Sequence, residues 1–354
     1  MAGARGIEGL SLALTAGVVA GAFLPWGNPW LASALILPLS VAPVFFPGKL
    51  VRAGMAVSAP VFFLSFFLLG VFCALNSFLS PLELSLPTAS AGKLRALIDG
   101  IPFRGKVTGP LLKALLTGSR EDLSRETVAV FRESGASHIL ALSGLHIGII
   151  YLALDRLAVL LVGNSPAARW GKAVLITGVS AWFTLMTGAA PSIVRAFLFI
   201  LINEMLTLLS RPRKPVRVLC LALLIQVVLD PSVVKSVGFQ LSYLAMAGRF
   251  LLYPVLDSWY PPSRGPVRKI WQSAALSISC QMFTGPLAWL RFGTFPRYFI
   301  LTTLLALPLV NVVMWVGILA VALSAFGSCP LIIVKAADAV CGLLVRILEV
   351  IASI

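Results

Sequence analysis

The sequence is poor in the residues that soluble chemistry uses. Two histidines, five cysteines and thirteen acids are all that 354 residues carry. The cysteines, Cys73, Cys220, Cys280, Cys329 and Cys341, stand singly in apolar stretches, with no CxxC pair and no histidine beside them. That excludes a zinc cluster of thiolates and imidazoles and gives no disulfide framework. No GxxxxGK[ST] run occurs, so the chain has no P-loop for nucleotide hydrolysis. Charged residues make up 12% of the chain, too few to cover an ordinary soluble domain.

What is present instead is apolar. Hydrophobic residues make up 59% of the chain and the mean hydropathy is +0.97. The apolar runs are long enough to cross about 30 Å of hydrocarbon and are separated by short loops rich in Arg, Lys, Pro and Gly. The pattern predicts an all-α, polytopic integral membrane protein with about ten or eleven transmembrane or re-entrant helices and amphipathic surface helices. Its net charge of +15 is what loop Lys and Arg contribute by holding loops in the cytoplasm, so charge alone does not point to nucleic acid.

Residues 9–24 and 30–46 read as two crossings joined by PWGNPW, Pro25 to Trp30, whose tryptophans suit the membrane interface. Lys49 and Arg52 mark a cytoplasmic loop, and a third crossing follows over 53–79. Residues 1–80 are thus N-terminal transmembrane helices. Arg5, the apolar run after it and Ala20-Gly21-Ala22 also fit a cleavable signal peptide, an alternative that leaves the downstream topology unchanged.

Residues 81–137 form the one long polar segment, with eight Lys or Arg against six acids. It is predicted to be a short extracytoplasmic segment, since long loops translocate largely regardless of charge. Within it, DLSRETVAVFRESG (Asp122 to Gly135) places Leu123, Val128 and Phe131 on one side and Arg125, Glu126, Arg132 and Glu133 on others. It is an amphipathic helix with a cap-like start at Ser124, expected to lie along the membrane surface.

Beyond it, basic clusters at Arg169/Lys172, Arg211/Arg213/Lys214/Arg217 and Arg264/Arg268/Lys269 read as cytoplasmic loops. Two passes fit between successive clusters, about 173–190 with 191–210 and about 218–232 with 236–255, and 270–291, 298–325 and 330–353 supply the last three. The expectation for the end of the chain, Ile354, is that no C-terminal soluble domain follows. Three segments are broken by Pro and Gly: TGAAPSIVRAF (187–197), LDPSVVKSVGFQ (229–240) and FTGPLAWLRFGTFP (283–296). Such breaks strand backbone groups unless protein or water replaces the lost partners, so they point to a water-filled path.

Both histidines fall in SGASHILALSGLHIGII, Ser134 to Ile150. On a continuous helix, Ser137, Ala141, Gly144 and Gly148 share a small-residue stripe that lets another helix approach closely. Ser143 and His146 lie on the opposite side. His138 is about 80° around and about 12 Å along the axis from His146, so the two cannot share a metal ion. Each imidazole either hydrogen-bonds a neighbouring helix or, for His146 with Ser143, lines a polar path. A Ser–His hydrolase would need an orienting carboxylate and an oxyanion hole, and neither motif is nearby.

Pro191 and Ser192 resemble a helix start, with Arg195 about one turn inside. The arginine is either snorkelling at the interface or placed beside a helix N-terminus as an anion site suited to phosphate. Asp230 before Pro231 reads as a helix cap. Lys235 and Gln240 follow it and serve either as contacts to phosphate or base, or as loop and packing residues. Glu204 is a lone intramembrane acid.

Four blocks in order carry a family resemblance: LLKALLTGSREDLSRETVAVFRESGASHILALSGLHIGII, TGAAPSIVRAF, DPSVVKSVGFQLSYLA, and GPLAWLRFGTFP followed by LLALPLVNVV. Over roughly residues 110–325 the chain resembles the competence domain of the ComEC family. The resemblance implies that 138–354 is a competence-type channel domain in the bacterial inner (cytoplasmic) membrane, multi-pass and in contact with membrane lipid. It implies admission of single-stranded DNA during natural transformation; no cofactor and no enzymatic activity are expected of this chain. The DNA-path candidates are then Ser143, His146, Arg195, Lys235 and Gln240, while His138, Gly144, Gly148, Pro191 and Asp230 are structural. A DNA receptor, a separate nuclease and a cytoplasmic motor ATPase would be partners.

Two departures stand beside the resemblance. Pro81 to Pro110 is too short for the oligonucleotide-binding-like outer domain common in the family. The C-terminal metallo-β-lactamase-like domain is also absent from the sequence, and two histidines could not build its metal cluster. A secondary transporter of a smaller anion, using the break at Arg195, and a non-conducting membrane scaffold are the alternatives.

Overall fold

A computed structural model describes residues 2–23, 59–76, 88–140, 144–162, 166–260, 265–293, 298–327 and 329–353. The expected crossing at 30–46, the PWGNPW turn and the loop at Lys49 and Arg52 lie outside these residues. Among the described residues the structure is all helical, with no strand. Prolines open several helices, where their missing N–H costs nothing: α9 at Pro191, α10 at Pro215 and α13 at Pro266 (ranges below).

The chain divides into two units. The first comprises Met1–Ser85 with Val194–Gln240. It contains α1 (Ala2–Phe23), α2 (Ala59–Asn76), nearly all of α9 (Pro191–Leu208), α10 (Pro215–Leu229) and a 3-10 turn, Pro231–Lys235. Helices α1 and α2 touch backbone to backbone, because a Cβ at Gly17 would lie 1.8 Å from the Phe67 carbonyl oxygen and one at Gly70 2.0 Å from that of Leu14. Leu198 and Ile202 of α9 pack with Val218 and Ala222 of α10.

The second unit comprises Leu86–Ile193 with Leu241–Ile354. In chain order it holds α3 (Thr88–Asp99), α4 (Thr108–Thr117), α5 (Arg125–Glu133), α6 (Ser137–Leu140), α7 (Gly144–Val162) and α8 (Pro166–Met186). After α9 and α10 come α11 (Val237–Leu251, in this unit from Leu241 on), α12 (Tyr253–Ser258), α13 (Pro266–Phe292), α14 (Phe299–Ala325) and α15 (Leu331–Ala352). Asp155 and Lys172 pair between α7 and α8. Arg268 of α13 clasps α12 through the Asp257 carboxylate at 2.7 Å and the carbonyls of Asp257 and Tyr260 at 2.8 and 2.9 Å.

Helix α13 corrects one expectation. GPLAWLRFG is not a break: α13 runs through Pro286 and ends at Gly293, whose φ of 64° is a left-handed cap. The Thr284 hydroxyl donates to the Cys280 carbonyl at 2.9 Å in the turn just before the proline. A threonine bonding back in this way is one of the devices by which an apolar helix accommodates proline.

By length and apolarity, α9 and α14 are able to cross a membrane. The exposed stripe of α14 runs from Leu301 through Leu305, Pro308, Val312, Trp315 and Leu319 to Ala322. Its spacing of four and three keeps one face apolar for about 31 Å, the thickness of a hydrocarbon core. The opposite face of α14 is buried in the core of the unit. There Ala306, Val310, Val313 and Met314 join Leu111, Leu112 and Leu115 of α4, Phe131 of α5, and Cys341, Leu344 and Leu348 of α15.

Candidate functional site

The TGAAPS break is built by local hydrogen bonding. Helix α8 ends at Met186, Gly188 (φ 79°) and Ala189 (φ 49°) take left-handed conformations, and the Ala189 N–H donates to the Thr184 carbonyl at 2.9 Å. That bond closes the helix end in the manner of a Schellman cap, although alanine is a costlier residue than glycine there. Pro191 then opens α9, and Arg195 stands half-buried one turn in. A guanidinium there adds to the positive end of the helix dipole, a combination suited to an anion. Glu204 lies further along α9 and is buried.

In LDPSVVKSVGFQ the chain breaks between α10 and α11. The Asp230 carboxylate caps the 3-10 turn, accepting from the Ser232 N–H at 3.0 Å and the Ser232 hydroxyl at 2.6 Å. The side-chain amide of Gln240 donates to the Val234 carbonyl at 2.7 Å, so its nitrogen secures the turn. Lys235 is exposed at the end of that turn.

The histidines have different surroundings. His138, on the single-turn α6, is exposed, with its Nδ1 3.1 Å from the Gly135 carbonyl. His146, in the first turn of α7, is 1% exposed. Ser143 lies outside the described residues. The expected close approach along the glycine stripe is not found at Gly148, where an added Cβ would meet nothing within 4 Å. A close backbone approach at a glycine of this unit is found instead at Gly248, where an added Cβ would lie 2.2 Å from the Ser279 carbonyl oxygen, between α11 and α13. GxxxG spacing permits a close crossing, but whether a partner helix arrives is a tertiary matter.

The larger surprise is the segment expected outside the membrane. Ser124 caps α5 as its sequence suggests, accepting from the Thr127 N–H at 3.1 Å. Part of the apolar side of that helix is closed by protein: Leu123 and Phe131 are buried in the core shared with α15, while Val128 stays exposed. Helix α4 is buried throughout its second and third turns. Lys113, on α4, reaches the carboxylates of Asp99 and Asp122, the latter at 2.7 Å. Arg95 approaches Glu121 at 3.9 Å, and Arg120 donates to the Leu140 carbonyl at 2.9 Å.

Sequence reasoning passed over Asp338. From α15 it accepts the backbone N–H of Arg104 at 2.9 Å, that of Gly105 at 3.1 Å and the Thr108 hydroxyl at 2.6 Å. It thereby satisfies two backbone donors of the loop that leads into α4 and holds the first residue of that helix, whose N-cap residue Val107 has no capping side chain. An acid in the middle of LIIVKAADAVCGLLV was the available signal, because acids in apolar helices generally have a dedicated partner.

With helices as the only regular structure among the described residues and a lipid-suited stripe on α14, the chain is an all-α membrane protein. Residues 115–354 match the Competence protein family, and the chain belongs to that family, carrying a ComEC-type competence domain. It is similar to ComE operon protein 3 of Bacillus subtilis (strain 168), with 28% identity over 133 residues, 38% of this chain and 17% of that protein. It is also similar to the uncharacterized protein YcaI of Escherichia coli (strain K12), with 25% identity over 240 residues, 64% of this chain and 30% of that protein. The chain thus matches less than a third of the length of either relative. No solved structure matches it.

Proposed function

We propose that this chain is a multi-pass channel of the inner membrane that admits single-stranded DNA to the cytoplasm during natural transformation. The observation that carries the reading is the family match over 115–354, which takes in the Arg195 break and the Asp230 turn. A channel for a polyanion has to replace phosphate hydration and counterions, and cations beside helix N-termini on a wet path supply that without covalent chemistry. Arg195 in the first turns of α9 is such a group. The sequence offers no P-loop, so pulling falls to a separate motor ATPase, with a DNA receptor and a nuclease as further partners.

The test is uptake of end-labelled duplex DNA into the nuclease-protected cytoplasmic fraction. It compares gene deletion, complementation by the unaltered chain and complementation by Arg195→Ala at matched membrane level. Uptake is expected to fall on deletion and with Arg195→Ala. Uptake that survives deletion overturns the channel reading and favours a small-anion transporter or a scaffold.

A further inference from the structure

We propose that residues 88–140 are inserted alongside α14 at membrane depth, and that their charged edge walls a water-filled vestibule inside the second unit. The inference rests on depth, for which α14 is the ruler. Its apolar stripe places Leu301 and Ala322 near the two boundaries of the hydrocarbon and the midplane between residues 311 and 312.

The polar segment is tied to α14 at Ser134, at Ile101 with Phe103, and in between. The Thr302 hydroxyl donates to the Ser134 carbonyl, near one boundary. Ile101 and Phe103 pack with Ala320, Val321 and Val334, near the other. From Thr302 to Ala320 is about 27 Å of helix, so residues 101–134 run nearly the full thickness of the hydrocarbon layer. Between these ends, Leu112 of α4 covers Gly317, where a Cβ would fall 2.6 Å from the leucine Cδ2. Gly317 is about 8 Å from the midplane, well inside the apolar slab.

Lys113 is the next residue after Leu112, so its ion pairs with Asp99 and Asp122 lie at about the same depth. The lysine is buried, but the side chains of its partners are 60% and 50% exposed, and that of neighbouring Glu121 is 83% exposed. Carboxylates so exposed are not stable against lipid tails, and charged groups at this depth face a bundle interior or water. Water on the α3–α5 side of the unit therefore accompanies lipid on the Trp315–Leu319 side of α14. The wall mixes Arg95, Lys113 and Arg120 with Asp99, Glu121 and Asp122, so it hydrates a passing solute without binding a polyanion tightly. The inference goes beyond the DNA reading and does not depend on it.

Cysteine substitution in the full chain tests it. Lys106→Cys, Glu121→Cys, Arg132→Cys and Leu319→Cys all replace exposed side chains, so packing is retained. Each is treated with a membrane-impermeant maleimide in right-side-out and in inverted vesicles, and read above the labelling of the unaltered chain. Arg132→Cys and Lys106→Cys are expected to react from opposite faces, and Glu121→Cys at least about tenfold faster than the lipid-covered Leu319→Cys. Reaction of Lys106→Cys and Arg132→Cys from the same face only, or Glu121→Cys as slow as Leu319→Cys, overturns the proposal. No readout involves DNA, so its failure is distinguishable from failure of the channel reading.

Discussion

Asp338 is the sharpest point at which to perturb this fold. One carboxylate holds the Arg104 and Gly105 N–H groups and the Thr108 hydroxyl. A hydrogen bond to a charged acceptor contributes about 1.5–3 kcal/mol, and less where solvent competes. Because the Arg104 bond is exposed, roughly 1 kcal/mol each is the safer figure, or about 3 kcal/mol lost in Asp338→Ala. Loss of that anchor raises the open population of the 101–107 loop about 100-fold. Asp338→Asn keeps one acceptor oxygen but sets an NH2 against a backbone donor, so an increase of about tenfold is expected. Arg104 and Lys106 are exposed tryptic sites within that loop, and cleavage follows the open population when reclosing is fast. The assay is the rate of tryptic cleavage after these residues in detergent micelles, with helical content checked by circular dichroism. A rate for Asp338→Ala within threefold of the unaltered chain, with the helices intact, would refute the anchoring role.

Two glycines test the packing in opposite directions. Gly248→Ala is expected to cost at least about 1–3 kcal/mol, because the new methyl meets the Ser279 backbone, which cannot yield as a side-chain tip does. A thermal unfolding midpoint in detergent equal to that of the unaltered chain would count against the α11–α13 contact. Gly148→Leu, by contrast, enters open space inside a helix and is expected to leave stability unchanged or raise it by up to about 1 kcal/mol, the helix-propensity gain over glycine. A large loss there would show that a partner covers the glycine stripe after all.

Much of the helix inventory was legible because its signals are local. The expected passes at 191–210, 298–325 and 330–353 correspond to α9, α14 and α15 within two residues at each end. Asp230 before Pro231 reads as a cap from two adjacent residues. The third proposed break misled because a proline in an apolar helix is accommodated when nearby side chains compensate, and Thr284 sits two residues before Pro286. The glycine stripe of the histidine segment misled for a different reason, since spacing records which face is small and not what arrives at it.

The sequence by itself determined the helical class, the membrane setting and most helix ends, because run length, proline at a first turn and glycine after a last turn act over a few residues. Only the tertiary structure decided what covers each face. The amphipathic stripe of α5 says that Phe131 must be dry, and lipid and protein satisfy it equally in sequence; α15, more than 200 residues away along the chain, is what closes over it. The pairing of Asp338 with Gly105 across 233 residues is of the same kind. No local propensity encodes a contact between residues so far apart, and the burial of a polar segment behind an apolar helix follows from such contacts alone.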